Sequence, residues 1–219
     1  MSIKLVVFTR APIPGQCKTR LIPVVGTEQA AQLSHAFLCD TLERSRVLDA
    51  QHFLYVAGDL DHASIVETAT NFGAELRTQA QGDLGDKLVR ASADMHLEKG
   101  DRLLIVGSDA PSIPEEYFLQ AVAALNHSEL VLGPSVDGGY YLIATSCTFP
   151  ESFFRGVRWS TQYTLQDTQA CASRYGWRVT SLPPWYDIDD AEGLMLHRLY
   201  TNLAPKACTY SARLLEICH

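Results

Sequence analysis

Short apolar runs alternate along the chain with longer stretches in which apolar residues recur every three or four positions. The short runs fall at residues 4–9, 52–57, 102–106, 129–133, 140–144 and 177–181. Their length and their bounding turn residues predict buried strands. Helical spacing fills most of the intervals. Thr27 is placed as an N-cap, and Leu33, Phe37 and Leu42 then fall near one face of the helix that follows. Further helices are predicted over 61–72, 86–99, 114–126, 161–175 and 190–202. Strands alternating with helices imply βαβ units, hence an α/β fold: a three-layer α/β/α sandwich around a mainly parallel, Rossmann-like sheet. No repeat, low-complexity tract or linker interrupts the pattern, so one domain over 1–219 is expected. Residues 204–219 read as an extra C-terminal helix that packs on the body or on a partner.

The bulk numbers narrow the class. At 219 residues with 47 % hydrophobic and 20 % charged content, the chain has the make-up of a soluble globular protein. Its longest apolar runs fall far short of the ~20 residues of a membrane span. The N-terminus lacks a signal-peptide pattern, so a cytoplasmic location is expected. A net charge of −7 argues against a nucleic-acid partner but leaves room for a local anion site. Cys17, Cys39, Cys147, Cys171, Cys208 and Cys218 form no CxxC and no zinc spacing, so they read as reduced thiols. Cys17 sits in a cationic loop, where it is either reactive or a small filler. His35, His52, His62, His96, His127, His197 and His219 are scattered, and none is assigned to a metal or to catalysis.

Ligands of open α/β sheets bind beyond the carboxyl ends of the strands, and the chain's candidate chemistry falls at those ends. The first strand runs into RAPIPGQCKTRL, where Pro12, Pro14 and Gly15 shape a loop that carries Arg10, Lys18 and Arg20. Such a loop is either a phosphate cradle or a solvated cationic turn, and the cradle is the reading favoured here. Neither GxxxxGK nor GxGxxG is present. Residues 10–26 show no helix or strand pattern. Asp109 follows the strand RLLIV and reads as a ligand for Mg²⁺ or Mn²⁺, or as a turn or cap residue. In YDIDD, Asp187 and Asp189 share one side of an extended segment, with Ile188 on the other and Asp190 as the cap of the last helix. Asp137, Gly138 and Gly139 read first as a hairpin turn and second as a close approach of backbone to ligand. Gly82 and Gly85 border a base or ribose, with Lys87 on a phosphate, or simply start a helix. Ser160 or Thr161 reads first as an N-cap and Trp159 as packing, with a role in acceptor binding as the second reading.

RAPIPGQCKTRL, QGDLGDKL, IVGSDAP, GPSVDGGYYLI, VRWSTQYT and YDIDD, in that order, resemble a family of bacterial glycosyltransferase-like proteins. That family belongs to the nucleotide-diphospho-sugar transferase superfamily with the GT-A fold, and some members are assigned to arsenosugar synthesis. The resemblance runs from about residue 3 to about residue 200. The same fold serves the guanylyltransferases of molybdenum-cofactor and F420 synthesis. The resemblance implies nucleotide binding by residues 10–21, Ala11 and Pro12 included, with Lys18, Arg10 and Arg20 on the phosphates. It implies Gly82, Gly85, Lys87, Gly138 and Gly139 at the nucleotide or substrate, and Asp109, Asp187 and Asp189 on Mg²⁺ or Mn²⁺. Catalysis would rest on Asp109 and Lys18, with Asp137 as a base. Where many GT-A glycosyltransferases carry D-x-D, this chain has Ser108-Asp109-Ala110, which brings it nearer to nucleotidyltransferases. The expected activity is glycosyl transfer from a nucleotide sugar to a small acceptor. The alternatives are nucleotidyl transfer from an NTP, and nucleotide-sugar binding without turnover. A second copy of the chain, forming a homodimer, is the one macromolecular partner considered.

Overall fold

The computed structural model describes residues 2–204 and 206–216; Cys218, His219 and Pro205 lie outside it. Seven strands form one sheet: β1 Ile3–Arg10, β2 Gln51–Ala57, β3 Glu75–Thr78, β4 Arg102–Gly107, β5 Leu130–Pro134, β6 Tyr140–Thr145 and β7 Val179–Ser181. Their spatial order is β3-β2-β1-β4-β6-β5-β7. Every neighbouring pair is parallel except those that β6 makes with β4 and β5. The sheet is therefore mainly parallel, as the alternating pattern predicts.

Leu5, Val6 and Val7 of β1 are fully buried because the strand lies mid-sheet with both faces covered. Leu5 and Val7 face a core with Leu38, Leu42, Ile65 and Phe118, whereas Val6 faces the opposite core with Leu88, Ala91, Phe153 and Ala172. The first core is closed by α2 Thr27–Ser45, α3 Ala63–Phe72 and α5 Glu115–Ala124, and the second by α4 Leu84–Asp94 and α6 Thr164–Arg174. Two helical layers around one sheet make the three-layer α/β/α sandwich. The third cluster joins Leu21, Ala30, Leu33 and Phe37 to Ile188, to Leu194 of α7 Ala191–Leu203, and to Leu215 of α8 Thr209–Glu216.

Local chemistry moves several boundaries from the sequence-based expectation. Strand β3 is an edge strand reading ELRT with only its middle half-buried, so it lacks the apolar signature of a strand. A 3₁₀ turn at Thr19–Leu21 and α1 Ile22–Val25 occupy part of the stretch that shows no pattern in sequence. Thr27 is not an N-cap: Gly26, at φ +80°, precedes the helix that Thr27 opens. Helix α4 starts two residues early because Asp83 and Asp86 form a capping box, and it stops at Asp94 ahead of His96, which has φ +45°. Helix α6 starts at Thr164 with Tyr163 at its cap, so neither Ser160 nor Thr161 caps it. Asp190 does cap α7, accepting from the Gly193 amide at 3.0 Å.

Helix α8 is pinned by a buried polar triad. The Asp40 carboxylate accepts from the Tyr210 and Ser211 amides, both at 2.9 Å, and from Ser211 Oγ at 2.6 Å. Ser211 Oγ also meets His197 Nε2 at 2.8 Å, and the His197 ring stands edge-on to Phe37 with centroids 5.5 Å apart. Burial pushes the His197 pKa down from 6.5 to about 4, so the ring is neutral in the fold. The unfolded chain, whose histidine has the ordinary pKa of ~6.5, then binds more protons between those values. Stability is full above pH ~6.5 and falls as pH drops toward about 4, by up to about 3 kcal/mol from this group. Urea titrations of the wild type and of His197→Asn across that range should show a shallower acid slope in the variant. An equal slope would mean that His197 does not control it.

Candidate functional site

One cavity of about 570 Å³ opens at the carboxyl ends of β1 and β4. Its ionic lining comprises Arg10, Lys18, Arg20 and Lys87 against Asp109, Asp137, Asp187 and Asp189. Backbone hydrogen bonds bring these distant stretches together. The Ile188 amide donates to the Asp109 carbonyl at 2.8 Å, which fastens residues 187–189 to the end of β4. Ile188 is fully buried in the third core cluster, so the extended chain turns Asp187 and Asp189 toward the cavity.

Lys18 is the hub. Its Nζ lies 2.5 Å from Asp109 Oδ1 and 3.0 Å from Asp189 Oδ1, and donates to the Ile188 carbonyl at 2.7 Å. Its backbone sits in the left-handed region at φ 45°, ψ 42°. Burial opposes the ammonium charge, yet the Asp109 and Asp189 carboxylates hold its pKa above the ordinary lysine value. Asp187 accepts from Ser135 Oγ at 3.1 Å. Its pKa is raised by burial and by the neighbouring Asp137 and Asp189 carboxylates. Arg10, Arg20 and Lys87 form no ion pair among the described residues.

Ala11, Pro12, Gly15, Gly82, Gly85 and Gly138 do not line this cavity. Ala11 is buried in the first core and its amide bonds the Ala57 carbonyl, so it anchors the loop. Gly15 at φ +79° turns the loop, and Gly82 at φ +103° leads into the α4 cap. Gly85 packs beneath Phe154 and Trp159 and lines a separate hollow. Gly139 does line the cavity, and its amide donates to Asp137 Oδ1 at 2.9 Å. Cys17 is only 4 % exposed and burial raises its pKa, so it is a packed thiol rather than a reactive one.

The structure adds residues that the sequence reading missed. Gln79, just past β3, donates from Nε2 to the Thr9 and Tyr55 carbonyls at 2.8 and 2.9 Å and ties two strand ends at the cavity wall. Ser135 and Thr164 line the cavity as well; Trp159, Ser160 and Thr161 also line it, which agrees with the second of their two sequence readings, acceptor binding, rather than the first, packing and capping. Ser160 has φ +57°, and its loop is braced by Arg158, which grips Asp167 through two nitrogens at 2.8 and 2.9 Å. The loop leans on the hairpin turn, where the Leu165 amide bonds the Gly138 carbonyl at 2.9 Å.

Among the described residues, no group of three or more His, Cys, Asp or Glu stands ready to hold a metal, and Lys18 Nζ contacts both Asp109 and Asp189. The donors are nonetheless hard carboxylate oxygens, and Mg²⁺ commonly takes only one or two of these, with substrate phosphates completing its shell. The residues fit a cation that is shared with a substrate better than a closed protein cage. Among the described residues, no helix is long and apolar enough to cross a membrane.

The family described as "Uncharacterized protein conserved in bacteria (DUF2064)" matches residues 41–161, and the chain belongs to it. A crystal structure from Desulfovibrio desulfuricans G20, provisionally assigned as a nucleotide-diphospho-sugar transferase, superposes with a TM-score of 0.85 at 32 % identity, covering 99 % of this chain and 95 % of that one. A 4-diphosphocytidyl-2C-methyl-D-erythritol synthase from Anaerococcus prevotii DSM 20548 shares 13 % identity at TM-score 0.58, over 92 % and 98 % of the two chains. The manganese complex of Rv0371c from Mycobacterium tuberculosis H37Rv shares 16 % at TM-score 0.54, over 90 % and 97 %. The last two show the fold alone. No curated protein matches the chain.

Gly138 provides a test of how tightly the turn and the Ser160 loop are fitted. A Cβ there would run into the Gln162 backbone, whereas at Gly156, also at positive φ, nothing lies within 4 Å. Gly156→Ala should cost about 1–2 kcal/mol from backbone conformation alone. Gly138→Ala should cost a further ~1–3 kcal/mol from overpacking. Urea denaturation of both variants measures the gap, and equal losses would mean that the two loops do not depend on each other.

Proposed function

We propose that this member of the DUF2064 family is a metal-dependent transferase that moves a glycosyl group from a nucleoside diphosphate donor to a small acceptor. The observation that carries the reading is a group of cavity cations that have no carboxylate partner among the described residues. Arg10, Arg20 and Lys87 line the cavity without ion pairs among the described residues, together with carboxylates from the end of β4 and from the 187–189 segment. Cations left unpaired beside a strand end fit diphosphate oxygens. The 32 % identical relative, provisionally assigned as a nucleotide-diphospho-sugar transferase, supports the same class.

Arg10 and Arg20 bind the donor diphosphate, and Lys18 adds a further positive charge as the nucleoside diphosphate leaves. Asp109 and Asp189 would hold Mg²⁺ or Mn²⁺, with Asp187 beside them. The ion supplies Lewis-acid stabilisation of the leaving diphosphate. Asp137, oriented by the Gly139 amide at 2.9 Å, accepts the proton of the attacking acceptor hydroxyl. The acceptor lies toward Trp159, Ser160 and Thr161, which also line the cavity.

Nucleotidyl transfer is the second reading. It is favoured by the lone carboxylate at the end of β4, where Ser108 and Ala110 flank Asp109. In that case an acceptor phosphate attacks the α-phosphorus of a triphosphate and pyrophosphate leaves. A binder without turnover needs fewer carboxylates than the cavity presents.

A thermal-shift panel separates these readings, with UDP-, GDP-, ADP- and dTDP-sugars set against the matching triphosphates, each with and without Mg²⁺ or Mn²⁺. A ligand at a hundred times its Kd raises Tm by roughly 5–10 °C for a chain of this size. The account expects a metal-dependent rise with one nucleotide sugar, lost in Asp109→Ala. A rise confined to a triphosphate would transfer the assignment to nucleotidyl transfer. No rise with any ligand would end the transferase reading.

A further inference from the structure

We propose that Lys18 is an internal counter-ion: it occupies the divalent-cation position of the cavity in the free protein and gives it up only when a nucleotide brings phosphate, so that metal and nucleotide enter together. This rests on the reading of Asp109 and Asp189 as metal-facing carboxylates.

An ammonium group has three N–H donors. Lys18 spends all three, on Asp109 Oδ1 at 2.5 Å, Asp189 Oδ1 at 3.0 Å and the Ile188 carbonyl at 2.7 Å. None remains for a phosphate in this state, so the side chain must move before it can serve a nucleotide. It is held from several sides: its side chain is 6 % exposed, its Nζ stands 5.9 Å from the centroid of Phe37, and its backbone is fixed in the left-handed region. The two carboxylates are about half exposed, so an arriving cation reaches their open sides and meets the ammonium between them. A divalent ion that displaced Lys18 without an anion would leave the ammonium buried beside a second positive charge, which is costly.

Charge balance points the same way. Four cations and four aspartates line the cavity. A divalent ion alone makes this set positive, and a nucleoside diphosphate alone makes it strongly negative. The two together leave it near balance, and the phosphates then offer Lys18 new partners. Arg10 and Arg20, on the same loop and without an ion pair among the described residues, mark where those phosphates lie. Lys18 thus makes the binding of metal and of nucleotide depend on each other.

Mn²⁺ alone is the probe, with free Mn²⁺ read by electron paramagnetic resonance. The wild type should bind it weakly, Lys18→Met at least about tenfold more tightly, and Lys18→Arg as weakly as the wild type. Adding Asp109→Asn and Asp189→Asn to Lys18→Met should abolish the gain. If Lys18→Met does not fold, Lys18→Gln keeps a donor for the Ile188 carbonyl and gives the same comparison. Equal affinity in the wild type and the neutral variant would overturn the proposal, as would a gain that survives loss of both carboxylates. No nucleotide or turnover enters this experiment, so its failure leaves the transferase reading standing. A tighter Mn²⁺ site in a protein that no nucleotide stabilises would uphold the counter-ion and reject the transferase.

Discussion

The three bonds of one ammonium group organise the cavity. Lys18 joins the loop after β1 to Asp109 at the end of β4 and to the Ile188–Asp189 peptide that leads into α7. These stretches are far apart in the chain, and the Asp109 and Asp189 carboxylates would repel each other without the Lys18 counter-ion. The Ile188 amide fastens the same peptide to Asp109 from the other side. One residue of extended backbone is thus held by its N–H, its C=O and its buried side chain, which leaves little freedom to the carboxylates that flank it.

The rest of the fold supports that junction. Leu21, Leu33, Phe37, Ile188 and Leu194 form a core cluster directly behind it, and Leu215 of α8 closes the cluster. The Asp40–Ser211–His197 bonds hold α8 in place without reaching the cavity. The C-terminal helix therefore acts on the site only through packing. The hairpin turn at Gly138 and the loop at Ser160, braced by Arg158 on Asp167, are tied together by the Leu165 amide and place Asp137, Ser160 and Thr161 in the cavity lining by a device separate from Lys18.

Much of this was legible in the sequence. The central strands are continuous Val, Leu and Ile runs because they are buried on both faces, and that signal is hard to mistake. The period-two placement of Asp187 and Asp189 around an apolar Ile188 indicated the orientation that the structure shows. Strand β3 was not legible, since an edge strand that reads ELRT carries no apolar signature, and Gln79 was missed along with it. The cap residues at Thr27, Ser160 and Thr161 were misplaced because the local choice between capping and turning depends on backbone angles set by tertiary contacts. Gly82, Gly85 and Gly138 admit two readings in sequence, as turn or helix-start residues and as ligand neighbours, and the structure uses them to turn the chain or to admit aromatic packing, as at Gly85, whereas Gly139 does line the cavity. The pairing of Lys18 with both carboxylates links residues more than 90 positions apart, and no local pattern could announce it.

The most direct test of the central claim is a Mn²⁺ anomalous difference map from crystals grown with Mn²⁺ and the nucleotide that most stabilises the protein. The account predicts a peak at the carboxylates of Asp109 and Asp189, phosphate density beside Arg10 and Arg20, and a Lys18 ammonium moved from the carboxylates to the phosphates. A nucleotide seated elsewhere would contradict it. So would Mn²⁺ bound at these carboxylates while Lys18 still bridges them.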